Sequence, residues 1–337
     1  MKKKIILLWV MICFLITGCF GNGSTDVVKN LNKKYDNLKS YKITGDLEIL
    51  NNDDIYNYNV KVIYQKNDKY YVSLKNKSNN HEQIILKNES GVYVLTPSLN
   101  KSFKFQSDWP YNNSQVYLIN SILNDITEDE ERQIEEDENY YTITTKVNYP
   151  NNRRLVNQKV KLDKDFNLKE VKVVDENGTE QMKMNFNTIE TNQSVDNNTF
   201  NLDSIMESNQ TINEENTTTS SETNALEDTI YPLYIPTGTV LVSEEKVEKT
   251  NGERIIMTFE GEKPFLLVEE TSSIEEEFSI IPTYGEPYLL IDTVGALTES
   301  SISWSSNGVD YYIVSDVMSQ DELVDIARSV NVVPNSK

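Results

Sequence analysis

The 337-residue chain has one histidine, His81, and two cysteines, Cys13 and Cys19. A Ser-His-Asp triad would have to use His81, and no Gly-x-Ser-x-Gly elbow presents a nucleophile to it. His81 follows Asn79 and Asn80 at the start of a strand pattern, which predicts a surface imidazole. Zinc needs more His or Cys ligands than the chain holds. Neither a Walker loop nor a dinucleotide glycine motif is present. The acidic run from Thr127 to Glu138 lacks the central glycine and spacing of an EF-hand and predicts a solvated loop or helix end. A carboxylate pair could hydrolyse a glycoside at the right separation. With 53 acidic residues, the presence of a pair carries no information. The residues therefore predict no catalytic group, no metal and no cofactor: a non-enzyme.

Cys19 is the exception. Lys2, Lys3 and Lys4 form a basic start, Ile5 to Ile16 an apolar run, and Thr17-Gly18 a small-residue site. The run is short for a membrane-spanning helix. Ile16-Thr17-Gly18-Cys19 resembles the lipobox of bacterial lipoproteins. That resemblance implies a signal peptide over residues 1–18 and lipidation of Cys19. Two acyl chains, at ~0.8 kcal/mol per buried methylene, anchor a protein stably. Residues 19–23 are then a tether, of which four reach about 14 Å when extended.

The charge balance makes such an anchor necessary for membrane attachment. Net charge is −21, and removing Lys2–Lys4 would make the chain more acidic. Phosphate backbones and anionic lipid heads repel it, so nucleic acid is not expected as a partner. Hydrophobic residues make up 38% and the mean hydropathy is −0.52, which predicts a modest core under a polar surface. The abundance of Asn, Lys, Ile and Tyr suggests a low-GC Gram-positive source.

The elements follow from periodicity. Val27, Val28, Leu31, Tyr35 and Leu38 have helix spacing, with Ser24 or Asp26 as cap. The period then becomes two. Tyr41, Ile43, Gly45, Leu47 and Ile49 share one face, as do Tyr56, Tyr58, Val60, Val62 and Tyr64. This predicts an antiparallel sheet with one covered face. Asn88–Gly91 and Pro97–Asn100 separate further strands, placing Gln83–Phe105 in the middle of the sheet. Pro110 ends the ladder, and a helix is predicted over Asn112–Ile126 with Val116, Ile119, Ile122 and Leu123 as its stripe. Its apolar stripe is expected to lie on the Tyr56, Tyr58, Tyr64 face. Its other side, with Asn113, Gln115, Asn120 and Asn124, is polar and nearly uncharged, which suits a protein contact and equally a solvated helix face. Tyr141, Ile143 and Thr145, then Met182, Met184 and Phe186, resume the alternation. Asp163-Lys164-Asp165 and Asn177-Gly178 mark hairpins.

The run Gly91-Val92-Tyr93-Val94-Leu95-Thr96-Pro97, followed by Lys101-Ser102-Phe103-Lys104-Phe105 and Asp108-Trp109-Pro110, resembles the LolA superfamily of lipoprotein-binding folds. It is closer still to the LolA-like sporulation and germination lipoproteins of Gram-positive bacteria. By strand-and-turn pattern the resemblance covers about Ser24 to Leu202. It implies an α+β fold, with a half-open antiparallel β-barrel and helices packed in its concave side. It also implies an anchored protein on the outer face of the cell membrane, of the forespore or mother cell in sporulation. Such a protein would bind or activate a peptidoglycan-modifying partner such as a cell-wall amidase. The wider superfamily implies the alternative of a lipid or lipoprotein carrier or sensor with acyl chains in the concave face. On either reading Trp109, Tyr111, Gln115, Asn120, Tyr56, Tyr58 and Tyr64 are the candidate ligand- or partner-contacting residues. The tyrosine and methionine faces read first as core under the helices, since aromatic faces are more often packing than pocket.

Residues 24–203 are thus read as the LolA-like domain. Residues 204–227, rich in Asn, Thr, Ser and Glu, read as a disordered linker. Residues 228–337 read as a small α+β domain that limited proteolysis should separate. Asn251-Gly252 and Asn307-Gly308 are its hairpin turns. Ser319 and Glu322 have capping-box spacing before the stripe Leu323, Ile326, Ala327 and Val330. Ile302-Ser303-Trp304 and Asn307–Ser315 resemble an uncharacterised domain of Gram-positive membrane and sporulation proteins. That resemblance implies topology and no chemistry. The short germination lipoproteins lack such a domain.

Overall fold

The period-two pattern becomes two twelve-residue strands, β1 (Ser40–Asn51) and β2 (Asp54–Gln65). They pair antiparallel, from Tyr41 opposite Tyr64 to Leu50 opposite Ile55. The structure is a computed structural model and describes residues 23–51, 54–208, 226, 229–249, 252–273 and 278–330. The expected signal peptide, Cys19, most of the tether and most of residues 204–227 lie outside the described residues.

From β2 the chain meanders through β3 (Lys69–Asn76), β4 (Glu82–Asn88), β5 (Gly91–Thr96) and β6 (Lys101–Phe105). The turns foreseen at Asn88–Gly91 and Pro97–Asn100 join β4 to β5 and β5 to β6. A crossover carries the chain to β7 (Gln133–Glu136). It returns through β8 (Tyr140–Lys146), β9 (Leu155–Asp163), β10 (Leu168–Asp175) and β11 (Glu180–Thr191) to the free side of β1. The β1–β11 register slips between Thr44 and Gly45. A Cβ on Gly45 would come 2.3 Å from the Asn185 carbonyl oxygen, so the close approach there needs glycine.

Helix α1 (Gly23–Tyr35) carries Asp26 in its first turn, favourable against the helix dipole, and buries Val27, Val28, Leu31 and Tyr35. Helix α2 (Ile119–Glu128) buries Ile119, Ile122, Leu123 and Ile126. Both join the core formed by Tyr41, Ile43, Leu47, Tyr58, Val62 and Tyr70 on one face of the sheet. The opposite face of β3–β5 is covered too. Ile84, Leu86, Tyr93 and Leu95 pack with Phe200, Ile205 and Met206. The last two lie on α3 (202–208), so the first residues of the expected linker belong to the fold.

A second sheet has the order β12-β13-β14-β19-β18-β17-β16. Its strands are β12 (Thr239–Lys249), β13 (Gly252–Gly261), β14 (Phe265–Thr271), β16 (Glu286–Leu289), β17 (Val294–Leu297), β18 (Ser301–Ser306) and β19 (Val309–Val314). Helix α4 (Gln320–Val330) lies on β18 and β19. Its capping box forms: the Glu322 carboxylate accepts the Ser319 amide at 3.0 Å and the Ser319 hydroxyl accepts the Glu322 amide at 3.4 Å. Asn307 and Gly308 take positive φ, 49° and 79°, in the tight turn between β18 and β19.

The remaining strand, β15 (Ser279–Thr283), leaves the second sheet and adds to the first. It runs parallel to β6, Ser279 opposite Lys101 and Thr283 opposite Phe105. The first sheet therefore has twelve strands in the order β15-β6-β5-β4-β3-β2-β1-β11-β10-β9-β8-β7. The stretch Gln83–Phe105 lies towards one end of this order, not in its middle. The expectation erred because alternation marks a strand's faces but not its neighbours.

Candidate functional site

Where β15 joins β6, the two sheets face each other and leave a cleft of about 480 Å³. Its walls differ in chemistry. The first sheet contributes Val94, Phe103 and Phe105, with Ile281 from β15. The second contributes Ser301, Ser303 and Ser305, alternate residues of β18, with Asp310 and Tyr312 from β19. The intervening Ile302 and Trp304 belong to the core under α4. The serine face of β18, which on sequence would meet water, instead meets the first sheet. Small side chains there leave the space unfilled.

Buried polar contacts fix the two walls. Gln83 of β4 accepts the Thr293 hydroxyl at 3.1 Å and the Val294 amide, and donates to Thr96 at 3.2 Å. The Tyr58 hydroxyl donates to the Ile291 carbonyl. Val294 and Ala296 of β17 lie in the core of the first sheet. Lys101, 4% exposed, reaches across with its ammonium 3.5 Å from the Asp310 carboxylate. Asp310 also accepts the Ser272 hydroxyl at 2.9 Å and the Ser305 hydroxyl at 2.5 Å. Glu270 of β14, which accepts Arg254 Nε at 2.7 Å, also lines the cleft, so the site offers an apolar wall, a hydroxylated wall, the Lys101–Asp310 pair and a further carboxylate.

The residues singled out from sequence fall in three places. Tyr58 is buried against the Ile291–Asp292 loop, where burial first and the Asp292 carboxylate next raise its phenol well above its ordinary range. Tyr56 is half-buried nearby. Tyr64 stacks on Tyr41 at 4.8 Å and shares with Asn120 a cleft of about 300 Å³ beside α1 and α2. Trp109 is buried, edge-on to Tyr70 at 5.8 Å, and its carbonyl accepts Lys87 at 2.7 Å. Tyr111 is 64% exposed; Lys87 stands 4.6 Å over its ring and its hydroxyl donates to Asp68.

Two expectations are corrected. The helix begins at Ile119, not Asn112: residues 111–118 are bends and turns, held by the Ser114 amide donating to the Asn148 carbonyl at 2.8 Å and the Leu118 amide to Gln115 at 3.2 Å. Gln115 is accordingly not on an exposed helix face. It is buried, with the Tyr117 hydroxyl donating to it at 2.6 Å, in a small gap lined also by Tyr288 and Leu289. Helix α2 packs on β8 and α1 and shares its core with Tyr58, whose hydroxyl also meets the Ile291 carbonyl. His81 is half-buried rather than a surface residue, its Nε2 without a hydrogen-bonding partner among the described residues, and burial lowers its pKa. The described residues contain no group of three or more His, Cys, Asp or Glu placed to hold a metal. No described helix is long and apolar enough to cross a membrane.

The cleft residues went unread because the signal in Ser301-Ile302-Ser303-Trp304-Ser305 is that of an exposed face. Only the position of β15, a tertiary fact, reverses it.

No family model matches the sequence. The chain is 36% identical to the sporulation protein YdcC of Bacillus subtilis over 98% of its own length and 97% of that protein's. This chain belongs to the YdcC sporulation-protein family. Solved structures with which it aligns include a LolA superfamily protein of Nitrosomonas europaea, at 10% identity and TM-score 0.31, over 53% of this chain and 98% of that one. Another is the CwlD amidase of Clostridioides difficile in complex with the GerS lipoprotein, at 14% identity and TM-score 0.21, over 52% and 97%. Structural alignments at such scores carry no argument about function. The family assignment rests on the Bacillus relative, 97% of whose length this chain matches.

Proposed function

We propose that the chain is a lipid-anchored, non-enzymatic LolA-like protein of sporulating Gram-positive cells, its first sheet a half-open barrel. It is held through Cys19 on the outer face of the cell membrane and binds or activates a peptidoglycan-modifying partner such as a cell-wall amidase. The observation that carries this reading is the 36% identity with a sporulation protein over 98% of the chain. The acidic surface supports a covalent anchor, since charge alone repels the chain from anionic lipid. The tyrosine face supports partner binding over acyl carriage, because α1, α2 and residues of the second sheet fill it with side chains. Tyr111 and Asn120, both solvent-exposed, are the sequence candidates still placed to meet a partner.

The test is complementation. A strain lacking the gene receives the wild type or Cys19→Ala, and heat-resistant spores and the membrane fraction are measured. The expected result is that the wild type restores spores from the membrane fraction while Cys19→Ala partitions away from detergent and restores far fewer. Full membrane retention of Cys19→Ala, with an unmodified wild-type mass, contradicts the anchor. Normal spores without the gene contradict the role.

A further inference from the structure

The cleft between the sheets has two walls that no single simple ligand chemistry satisfies. A hydrocarbon chain would suit Val94, Phe103 and Ile281. It would lie against the Ser303 hydroxyl, the Lys101–Asp310 pair and the Glu270 carboxylate, polar groups to which it can offer neither a donor nor an acceptor. An extended peptide needs a strand edge. The Ser279 amide donates to the Asn100 carbonyl at 3.2 Å, so Ser279, Ile281 and Thr283 direct their backbone groups towards β6. The outward positions are Ile280 and Pro282, and proline has no amide to give. Pro282 thereby closes the edge of β15 to a pairing strand.

A pyranose has what these walls ask for. Its C–H face packs on aromatic and aliphatic carbon, and its hydroxyls both donate and accept. Ser303 lies half-exposed on one wall of the cleft and Phe103 half-exposed on the other. Lys101 supplies donors and Asp310 acceptors at one end. Tyr312, 41% exposed, and Tyr284, 76% exposed, put rings at the mouth, where a longer chain would continue. The volume is in the range of small-molecule sites, roughly 300–1,000 Å³.

We infer that the cleft between the two sheets is a saccharide-binding site that takes a short stretch of a polysaccharide chain. The inference rests on the reading of the chain as a binding protein, and it gives that protein a glycan ligand beside its protein partner. Because both walls contribute, ligand spans β6 and β18 and holds the sheets in their present relation.

The test is calorimetric titration of the purified full chain in detergent with the tetramer of N-acetylglucosamine, and separately with palmitate and an uncharged tetrapeptide. The tetramer binds saturably, and palmitate and the tetrapeptide do not. Ser303→Leu, which fills the cleft from a half-exposed position, weakens tetramer binding by about tenfold or more while melting with the wild type. Should Ser303→Leu fail to fold, Tyr312→Ser at the mouth weakens binding in its place. Absence of saturable tetramer binding, unchanged affinity in the folded variant, or saturation by palmitate or the tetrapeptide instead overturns the site. Spore counts do not enter this measurement, so it can fail while the sporulation role stands, and the reverse.

Discussion

Glu269 on β14 is fully buried. One carboxylate oxygen accepts the Ile230 amide at 3.1 Å, and the other has no hydrogen-bond partner among the described residues. Burial pushes its pKa up to about 7 from an ordinary 4.5. A raised carboxyl pKa means that the folded state holds the proton more tightly than the unfolded state does. Its contribution is present below pH 4.5 and is lost as pH rises through 7. Glu269→Gln keeps a polar side chain of the same shape without the charge. Urea titrations from pH 4.5 to 8 should show the wild type losing about 3 kcal/mol relative to this variant over that window. Parallel curves for the two proteins would show that Glu269 ionises freely in the fold. Asp125 is a second such group, pushed up to about 6 by burial and steadied by the Gln158 amide at 2.9 Å.

At the scale of elements, α2 carries an apolar stripe with no exposed alternative. Ile119 is 1% exposed. Ile119→Asp places an unpaired charge in the core and should destabilise the protein by ~4 kcal/mol in urea unfolding. Wild-type stability would mean that α2 is peripheral. The stripe was legible in sequence because 3.6-residue spacing reports a buried face directly, and so were the long strands β1 and β2. Residues 112–118 were not. Val116 extends the helical spacing backwards, yet Ser114 and Gln115 satisfy their backbone through Asn148 and Ser121 instead of a helix. Strand β15 was missed for a related reason. Its burial does alternate along Ser279–Thr283, but it contains Pro282 and pairs with a strand some 180 residues earlier, so the local pattern named no neighbour.

At the scale of the molecule, composition divides the chain and the fold rejoins it. Residues 204–227 read as a boundary, and each half supplies most of one sheet, with Val294 and Ala296 of the second half packed in the core of the first sheet. The halves nevertheless share β15, the Gln83–Val294 contact and the Tyr58–Ile291 bond, which together bury polar and apolar groups of both. The cleft exists only because of this union. Cleavage within residues 209–225, followed by native size-exclusion chromatography with mass analysis, tests it most directly. The nicked protein should elute as one species containing both fragments, with separation only in denaturant. Two fragments eluting apart under native conditions would contradict the union of the sheets and remove the cleft with it.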